Sequence, residues 1–253
     1  MFLTSTDDTR IAYDVQGEGP ALLLFQGFDE PRQIWHDLGY VERLSKHFRV
    51  ITIDRRGIGE SDHPEDPKAY TVEKMMADVY AIADACQAAT FHVWGHSFGG
   101  TLALQMAARS ERITRAIVAG SFFGQIYFKE RIDQITADLR TLYKAQKEGQ
   151  LKALGMDAED IRWVEERHLP ALIACWQALI GWPILNDPHQ IRCPLYIYSG
   201  TNDRRITKPL LARQDDIDDA GILLRIFDQL DHSQEISAIE IVYEPAENFL
   251  RQE

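Results

Sequence analysis

One short stretch of the chain reads Phe91-His92-Val93-Trp94-Gly95-His96-Ser97-Phe98-Gly99-Gly100. Its first four residues have the apolar, β-branched and aromatic character of a buried strand, and residues 101–108 after it have that of a helix. A Gly-x-Ser-x-Gly pattern therefore lies on a sharp turn from strand to helix, where glycines remove the Cβ atoms that would collide. Such a turn strains the backbone at Ser97 and lifts its hydroxyl clear of the sheet. We interpret Ser97 as a catalytic nucleophile.

The nucleophile needs two kinds of support. The first amides of the following helix, that of Phe98 foremost, point to the space where a substrate oxygen would gain negative charge. A serine hydroxyl also needs a base, and the base needs a third group that fixes its tautomer. His168, His189 and His232 follow Ser97 in the chain, but only His232 comes after the last predicted strand. We expect His232 to be the base, the alternative being a histidine of a surface loop.

The third group should be an acid just past the predicted strand at 195–199. Asp203 occupies that place and is our candidate. Its alternative role is to cap the helix that begins near Arg205, a common use of aspartate. Asp231 is a rival acid, but a residue seldom folds back onto the imidazole of its sequence neighbour, here His232.

Composition limits the partners of this chain of 253 residues. With 45% hydrophobic and 26% charged residues, it fits one large α/β domain that can bury a full core, so we expect a monomer or a homodimer. The net charge of −12 argues against nucleic acid and against an anionic membrane surface, both of which need a basic face. No stretch approaches the roughly 18 apolar residues of a membrane span. We expect a small-molecule substrate.

Three cysteines at 86, 175 and 193 are too far apart and too apolar in setting to suggest disulfides. The first eight residues have neither a basic start nor an apolar export core. We therefore expect a cytoplasmic protein. Because the sequence has no clustered set of His and Cys ligands and no phosphate loop, we expect no metal and no cofactor.

Strand-like and helix-like segments alternate along most of the chain. A hairpin is predicted at residues 2–15, and near-continuous apolar runs predict further strands, each buried on both faces. Helical periodicity is found at 34–47 and 71–87. This order predicts a mostly parallel, doubly wound sheet with helices on both sides. The predicted buried strands are at 21–25, 50–53, 91–94, 116–119, 195–198 and 222–227.

From 121 to 187 the pattern is helical, without a convincing strand. We interpret these residues as a helical cap inserted into a core formed by 1–120 and 188–253. Aromatic residues of the cap either pack it onto the core, which is the usual role of aromatic stripes, or line a substrate pocket. The pocket candidates are Phe122, Phe123, Tyr127, Trp176 and Trp182.

Taken together, these features resemble the α/β-hydrolase fold family, in particular its small serine hydrolases of the esterase, lactonase and carbon–carbon-bond hydrolase type. The resemblance covers nearly the whole chain. It rests on the Gly-x-Ser-x-Gly motif, on the order Ser97, Asp203, His232, and on residues 54–62, which are similar to the Asp-x-Arg-Gly-x-Gly-x-Ser-Asp loop of that family. In that loop we interpret the arginine and glycines as scaffolding.

Residues 25–28 occupy the place of the family's His-Gly-x oxyanion loop, although Gln26 replaces the common histidine. The resemblance implies that the backbone amide of Phe28 is the second oxyanion donor beside that of Phe98. Asp29 and Glu30 follow immediately, and inward-pointing carboxylates would repel an anionic acyl group. Because paired acids are usually solvated, we expect both to face water.

We expect hydrolysis of an ester-like bond in a small, largely apolar substrate through an acyl-enzyme on Ser97. The same triad would also suit a carbon–carbon-bond hydrolase or a cofactor-free perhydrolase. A third alternative is a ligand-binding receptor or scaffold that retains the triad. Serine at this position argues against dehalogenase and epoxide-hydrolase chemistry, which the resemblance associates with aspartate.

Overall fold

The computed structural model describes residues 1–252, and at its centre lies a sheet of eight strands. In chain order the strands are β1 (Phe2–Thr4), β2 (Arg10–Gln16), β3 (Ala21–Phe25), β4 (Arg49–Asp54), β5 (Phe91–His96), β6 (Ile113–Ala119), β7 (Leu195–Gly200) and β8 (Leu223–Phe227). Their order across the sheet is β1-β2-β4-β3-β5-β6-β7-β8. The first two strands pair antiparallel, β2 pairs antiparallel with β4, and all later pairs are parallel. The predicted mostly parallel sheet with an N-terminal hairpin is confirmed.

Helices cover both faces of the sheet because its central strands are apolar on both sides; every residue of β3, for example, is buried. On one face pack α3 (Val72–Ala85), α4 (Phe98–Arg109) and α8 (Arg204–Leu211). On the other face pack α1 (Gln33–Asp37), α2 (Tyr40–Leu44) and α11 (Ile239–Leu250). Two short helices complete the core: α9 (Gln214–Asp219) and α10 (Gln234–Ser237). No helix within residues 1–252 has the length and apolarity needed to cross a membrane.

The segment 34–47, which has helical periodicity, forms two short helices, α1 and α2. Gly39 separates them with a φ of 80°, a left-handed conformation that interrupts the helical path and that glycine adopts without steric cost. Apolar periodicity continues across the break because both pieces bury their residues against the same face, Trp35 on α1 and Tyr40 on α2.

Between β6 and β7 the chain forms three helices, α5 (Lys129–Lys147), α6 (Ala158–Glu165) and α7 (Leu169–Ala178). Short 3-10 helices lie at Leu151–Leu154 and Leu179–Gly181 in this segment, and at Pro67–Tyr70 and Pro188–Gln190 elsewhere. A single antiparallel bridge joins Gly124 to Leu185, so the two ends of the segment meet. We refer to residues 121–187 as the helical insertion.

The N-terminal hairpin is fastened to the core by Arg56, whose side chain is fully buried. It donates to Asp78 of α3 at 2.7 Å and to Asp7 of the hairpin turn at 2.9 Å. A further bond at 2.7 Å reaches the carbonyl of Ala69. One guanidinium therefore connects the hairpin, the loop after β4 and a helix of the core.

Candidate active site

Ser97 lies on the turn between β5 and α4 with φ 55° and ψ −114°, a strained conformation for a residue with a side chain. The turn is closed by direct backbone contact. A Cβ atom on Gly95 would lie 2.1 Å from the carbonyl oxygen of Gly99, and one on Gly99 would lie 2.1 Å from that of Phe25. Only glycine fits at either position, as the sequence pattern indicates.

The structure brings Ser97, Asp203 and His232 together from three separate elements. His232 Nε2 lies 2.8 Å from Ser97 Oγ, and His232 Nδ1 lies 2.6 Å from Asp203 Oδ2. Although α8 begins directly after Asp203, this side chain makes no capping bond to the helix. Burial alone would raise the pKa of Asp203, but the hydrogen bond from His232 and the nearby positive charges lower it below its ordinary value. The carboxylate is thus held ionised against the imidazole.

The rival residues have other partners. Asp231 accepts a hydrogen bond from the backbone of Gln234 at 2.9 Å and so caps α10. His168 caps α7 through its Nδ1 atom, which accepts from Ala171 at 3.3 Å. His189 lies on an exposed 3-10 helix, 3.4 Å from Asp219. None of the three competes for the serine.

Phe28 and Phe98, the two predicted oxyanion donors, both line the cavity that contains Ser97. Within residues 1–252 neither backbone amide has a protein acceptor, so both are free to bind a substrate oxygen. The loop before Phe28 is held in place by Gln26, whose side chain donates to the carbonyl of Ile53 at 2.8 Å. The substitution of glutamine for histidine therefore leaves the loop anchored.

Arg55 also contacts the loop of Phe28, the predicted oxyanion loop, and the sequence did not reveal this contact. Its guanidinium lies between the rings of Phe28 and Phe98, with its central carbon 4.7 Å from each ring centroid, and donates to the carbonyl of Phe28. Bonding to that carbonyl fixes the peptide next to the donor amide. Arg55 is the variable residue of the Asp-x-Arg-Gly motif; the motif arginine, interpreted as scaffolding, is Arg56.

Asp29 and Glu30 are half-buried and hydrogen-bonded rather than simply solvated, which corrects the expectation that both face water. Asp29 accepts from Nε1 of Trp163 in the helical insertion at 2.8 Å. Glu30 accepts from the amide of Gly27 at 3.1 Å. Burial and the neighbouring Asp29 raise the pKa of Glu30. Neither residue is among those that line the Ser97 cavity.

Four of the five predicted pocket aromatics line cavities. Tyr127 and Trp176 lie on the Ser97 cavity, which has about 330 Å³ of empty space. Phe122 and Trp182 line a neighbouring cavity of about 520 Å³ that shares Tyr127 as a wall. Phe123 is the exception: it is 3% exposed and packs in the core. Phe123 lines none of the cavities described above, and its apolar character is the same in either role.

Glu235 is a second carboxyl group at the base of the site, and nothing in the sequence predicted it. It is fully buried. Its Oε1 accepts from Ser199 Oγ at 2.5 Å and from the Gly200 amide at 2.8 Å, whereas Oε2 has no partner and lies 3.5 Å from His232 Nδ1. Burial raises the pKa of Glu235 to about 7 against the effect of these bonds. His232 therefore faces two carboxyl groups.

His96 lies beside this pair and donates through Nε2 to the carbonyl oxygen of His232 at 2.9 Å. Burial, together with the neighbouring His232, lowers the pKa of His96 to about 3, so the ring is neutral. His96, His232 and Glu235 have ligand atoms within 4.8 Å of one another. A metal ion there would have to displace hydrogen bonds that hold the triad, and we assign none.

Comparisons with known proteins agree with this architecture. A family model described as alpha/beta hydrolase fold matches residues 20–159. A protein of Agrobacterium fabrum, provisionally named the carbamate hydrolase RutD, is 36% identical over 101 residues, 40% of this chain and 38% of that protein. Epoxide hydrolase 4 of Mus musculus is 30% identical over 133 residues, 51% of this chain and 36% of that protein. The matched part is a minor share of both relatives.

Among solved structures, an esterase from Exiguobacterium antarcticum superimposes with a TM-score of 0.79 at 20% identity, covering 100% of this chain and 99% of that one. This likeness concerns the fold.

Proposed function

The chain belongs to the alpha/beta hydrolase fold family, and from that premise we propose that it is a serine hydrolase cleaving an ester-like bond in a small, largely apolar substrate. One observation carries the proposal. Ser97 Oγ lies 2.8 Å from an imidazole whose other nitrogen lies 2.6 Å from a carboxylate. This is the geometry that activates a serine for acyl transfer.

In the first half of the reaction, His232 takes the proton of Ser97 as the serine oxygen attacks the substrate carbonyl. The amides of Phe28 and Phe98 donate to the resulting oxyanion. His232, now charged and stabilised by Asp203, gives its proton to the leaving alcohol. The bond between carbonyl carbon and alcohol oxygen breaks, and an acyl-enzyme on Ser97 remains.

In the second half, water takes the place of the alcohol. His232 deprotonates it, the hydroxyl oxygen attacks the acyl carbon, and the carboxylic acid leaves as Ser97 regains its proton. Two effects dominate the expected rate. Each oxyanion donor stabilises the transition state by about 3–4 kcal/mol, and the general base raises the rate by about 100- to 10,000-fold.

We propose that the helical insertion is the cap of the site and that 1–120 and 188–253 form the catalytic core. Tyr127 and Trp176 of the insertion supply walls of the Ser97 cavity, so acyl size should depend on them. Chemistry and specificity then reside in different parts of the chain.

Epoxide hydrolysis is the reaction named for one relative, and position 97 disfavours it. A serine oxygen that opened an epoxide would form an ether, which water does not cleave at this site. A carboxylate nucleophile would form an ester that water can cleave. We therefore propose a carbonyl substrate, and the carbamoyl group named for the other relative belongs to that class.

The test is hydrolysis of p-nitrophenyl acetate, butyrate, octanoate and laurate by the wild type and by Ser97→Ala. We expect kcat to fall by at least about 1,000-fold in the variant, and a fluorophosphonate to label Ser97 in the wild type. Asp203→Asn should lose most activity, whereas its matched control Asp231→Asn should retain it. Absence of Ser97-dependent turnover on all four esters would overturn the proposal and favour diones, peroxide or a receptor role.

A further inference from the structure

The cavity around Ser97 has one charged wall. Of the ten residues that line it, Arg205 is the only one that carries a formal charge. None of the ion pairs formed within residues 1–252 involves Arg205, and its side chain is exposed at the mouth of the site. The one charged residue of the cavity lining is therefore exposed and has no ion-pair partner in the described part of the chain.

The carboxylates of Asp29, Glu30 and Asp203 have partners other than Arg205. Asp29 accepts from Nε1 of Trp163, and Glu30 accepts from the amide of Gly27. Asp203 accepts from His232. The positive charge of Arg205 still acts within the cavity, since it contributes to the lowered pKa of Asp203 and opposes the effect of burial on the pKa of Tyr127.

The position of Arg205 in its helix points the same way. Arg204 and Arg205 are the first two residues of α8, where the helix dipole is positive and acidic residues are favoured. Two cations at that end, without ion pairs, weaken the helix. Of the two, only Arg205 lines the cavity, where its charge can bind an anionic group.

We propose that Arg205 binds a carboxylate carried by the substrate, so that the substrate is a small ester or lactone with one anionic group. This inference rests on the proposed serine-hydrolase function. A planar guanidinium matches a carboxylate through two parallel hydrogen bonds, and one such pair orients as well as binds.

The experiment compares neutral and anionic esters of matched shape. With the charge on the acyl side, the pair is p-nitrophenyl hexanoate and mono-p-nitrophenyl adipate; with the charge on the leaving group, it is phenyl acetate and 4-acetoxybenzoate. The wild type should show the higher kcat/KM for the anionic member of at least one pair. Arg205→Gln should reduce that preference by about 10- to 100-fold, mainly through KM.

Arg204→Gln is the matched control, because it removes the same charge from the same helix turn at a residue that does not line the cavity. It should leave the preference unchanged. The inference is overturned if the wild type prefers the neutral member of both pairs. It is also overturned if Arg205→Gln slows both members of a pair equally, because that result would mean that Arg205 affects activity only through its charge effect on Asp203. Ser97-dependent turnover of the neutral esters would still stand in either case, so the proposed function is tested separately.

Discussion

At the scale of single residues, the least expected group is the second carboxyl beside His232. Gly120 makes room for it: with φ 63°, this residue carries no Cβ where one would lie 2.6 Å from Glu235 Oε2 and 2.8 Å from His232 Cε1. The imidazolium that forms in the proposed reaction would therefore lie near Asp203 and, when ionised, Glu235. A second negative charge within 4–6 Å favours the charged form of the imidazole.

Glu235→Gln should accordingly lower activity in a pH-dependent way. The raised pKa of Glu235, about 7, means that the carboxyl is charged at pH 8 and protonated at pH 5.5. We expect the variant to be about 10-fold slower than the wild type at pH 8, with the ratio approaching one at pH 5.5. Ester hydrolysis followed from pH 5.5 to 9 measures this.

The control for that profile is Glu240→Gln, on the exposed side of α11, which should leave the ratio near one throughout. A constant ratio for Glu235→Gln across the same pH range would show that the carboxyl only holds strand β7 in place through Ser199 and Gly200.

Single residues also show how far the sequence could be interpreted. Ser97 was predictable because its motif is contiguous, and Asp203 and His232 because each follows a recognisable strand. Glu235 was not, since its partner Ser199 lies 36 residues away. Arg55 was not, because its bond to the oxyanion loop is made across 27 residues. Interactions between distant residues leave no local pattern.

At the scale of elements, the site depends on how closely α4 approaches β3. The backbone of Gly99 contacts the carbonyl of Phe25, and no side-chain rotation can relieve a clash between backbone atoms. The break at Gly39 was missed because periodicity reports which face is buried and not whether the helix is continuous.

Gly99→Ala should therefore displace the start of α4 and with it Ser97, the proposed nucleophile. We expect the free energy of unfolding to fall by about 3 kcal/mol, which corresponds to a Tm lower by about 6–12 °C. We also expect kcat to fall by about 100-fold. Scanning calorimetry and ester hydrolysis measure the two effects.

Gly181→Ala is the matched control, since no atom lies within 4 Å of its Cβ position, and it should leave both quantities nearly unchanged. If Gly99→Ala behaved like this control, close contact between helix and strand would not be what holds Ser97 in place.

At the scale of the whole molecule, strand number and sheet direction followed from the sequence because parallel strands buried on both faces are recognisable as apolar runs. The sequence did not predict which interactions attach the N-terminal hairpin to the core. Arg56 connects the hairpin to the core through Asp7 and Asp78, 49 and 22 residues away. Neither pairing follows from composition or spacing.

Arg56→Met should lower global stability, because it leaves the buried carboxylate of Asp78 without its cation. Breaking such a buried pair lowers the free energy of unfolding by about 3–5 kcal/mol, which corresponds to a decrease in Tm of about 6–20 °C. The hydrogen bond from Arg56 lowers the pKa of Asp7 below its ordinary value of 3.8. The stability that Asp7 contributes through this bond is therefore fully present above about pH 3.8 and is lost as the pH falls below that value. The difference in Tm between wild type and variant should narrow in acid.

The control is Arg10→Met, which removes an exposed ion pair with Asp62, 3.7 Å apart and about half accessible on both sides. Screening by water limits such a pair to less than about 1 kcal/mol, so its Tm should stay close to that of the wild type. Thermal unfolding of both variants at pH 7 and pH 3 separates the two cases. Equal stability of the two variants at pH 7 would mean that the hairpin is held by its apolar contacts with the core, and that the buried cation is dispensable for the fold.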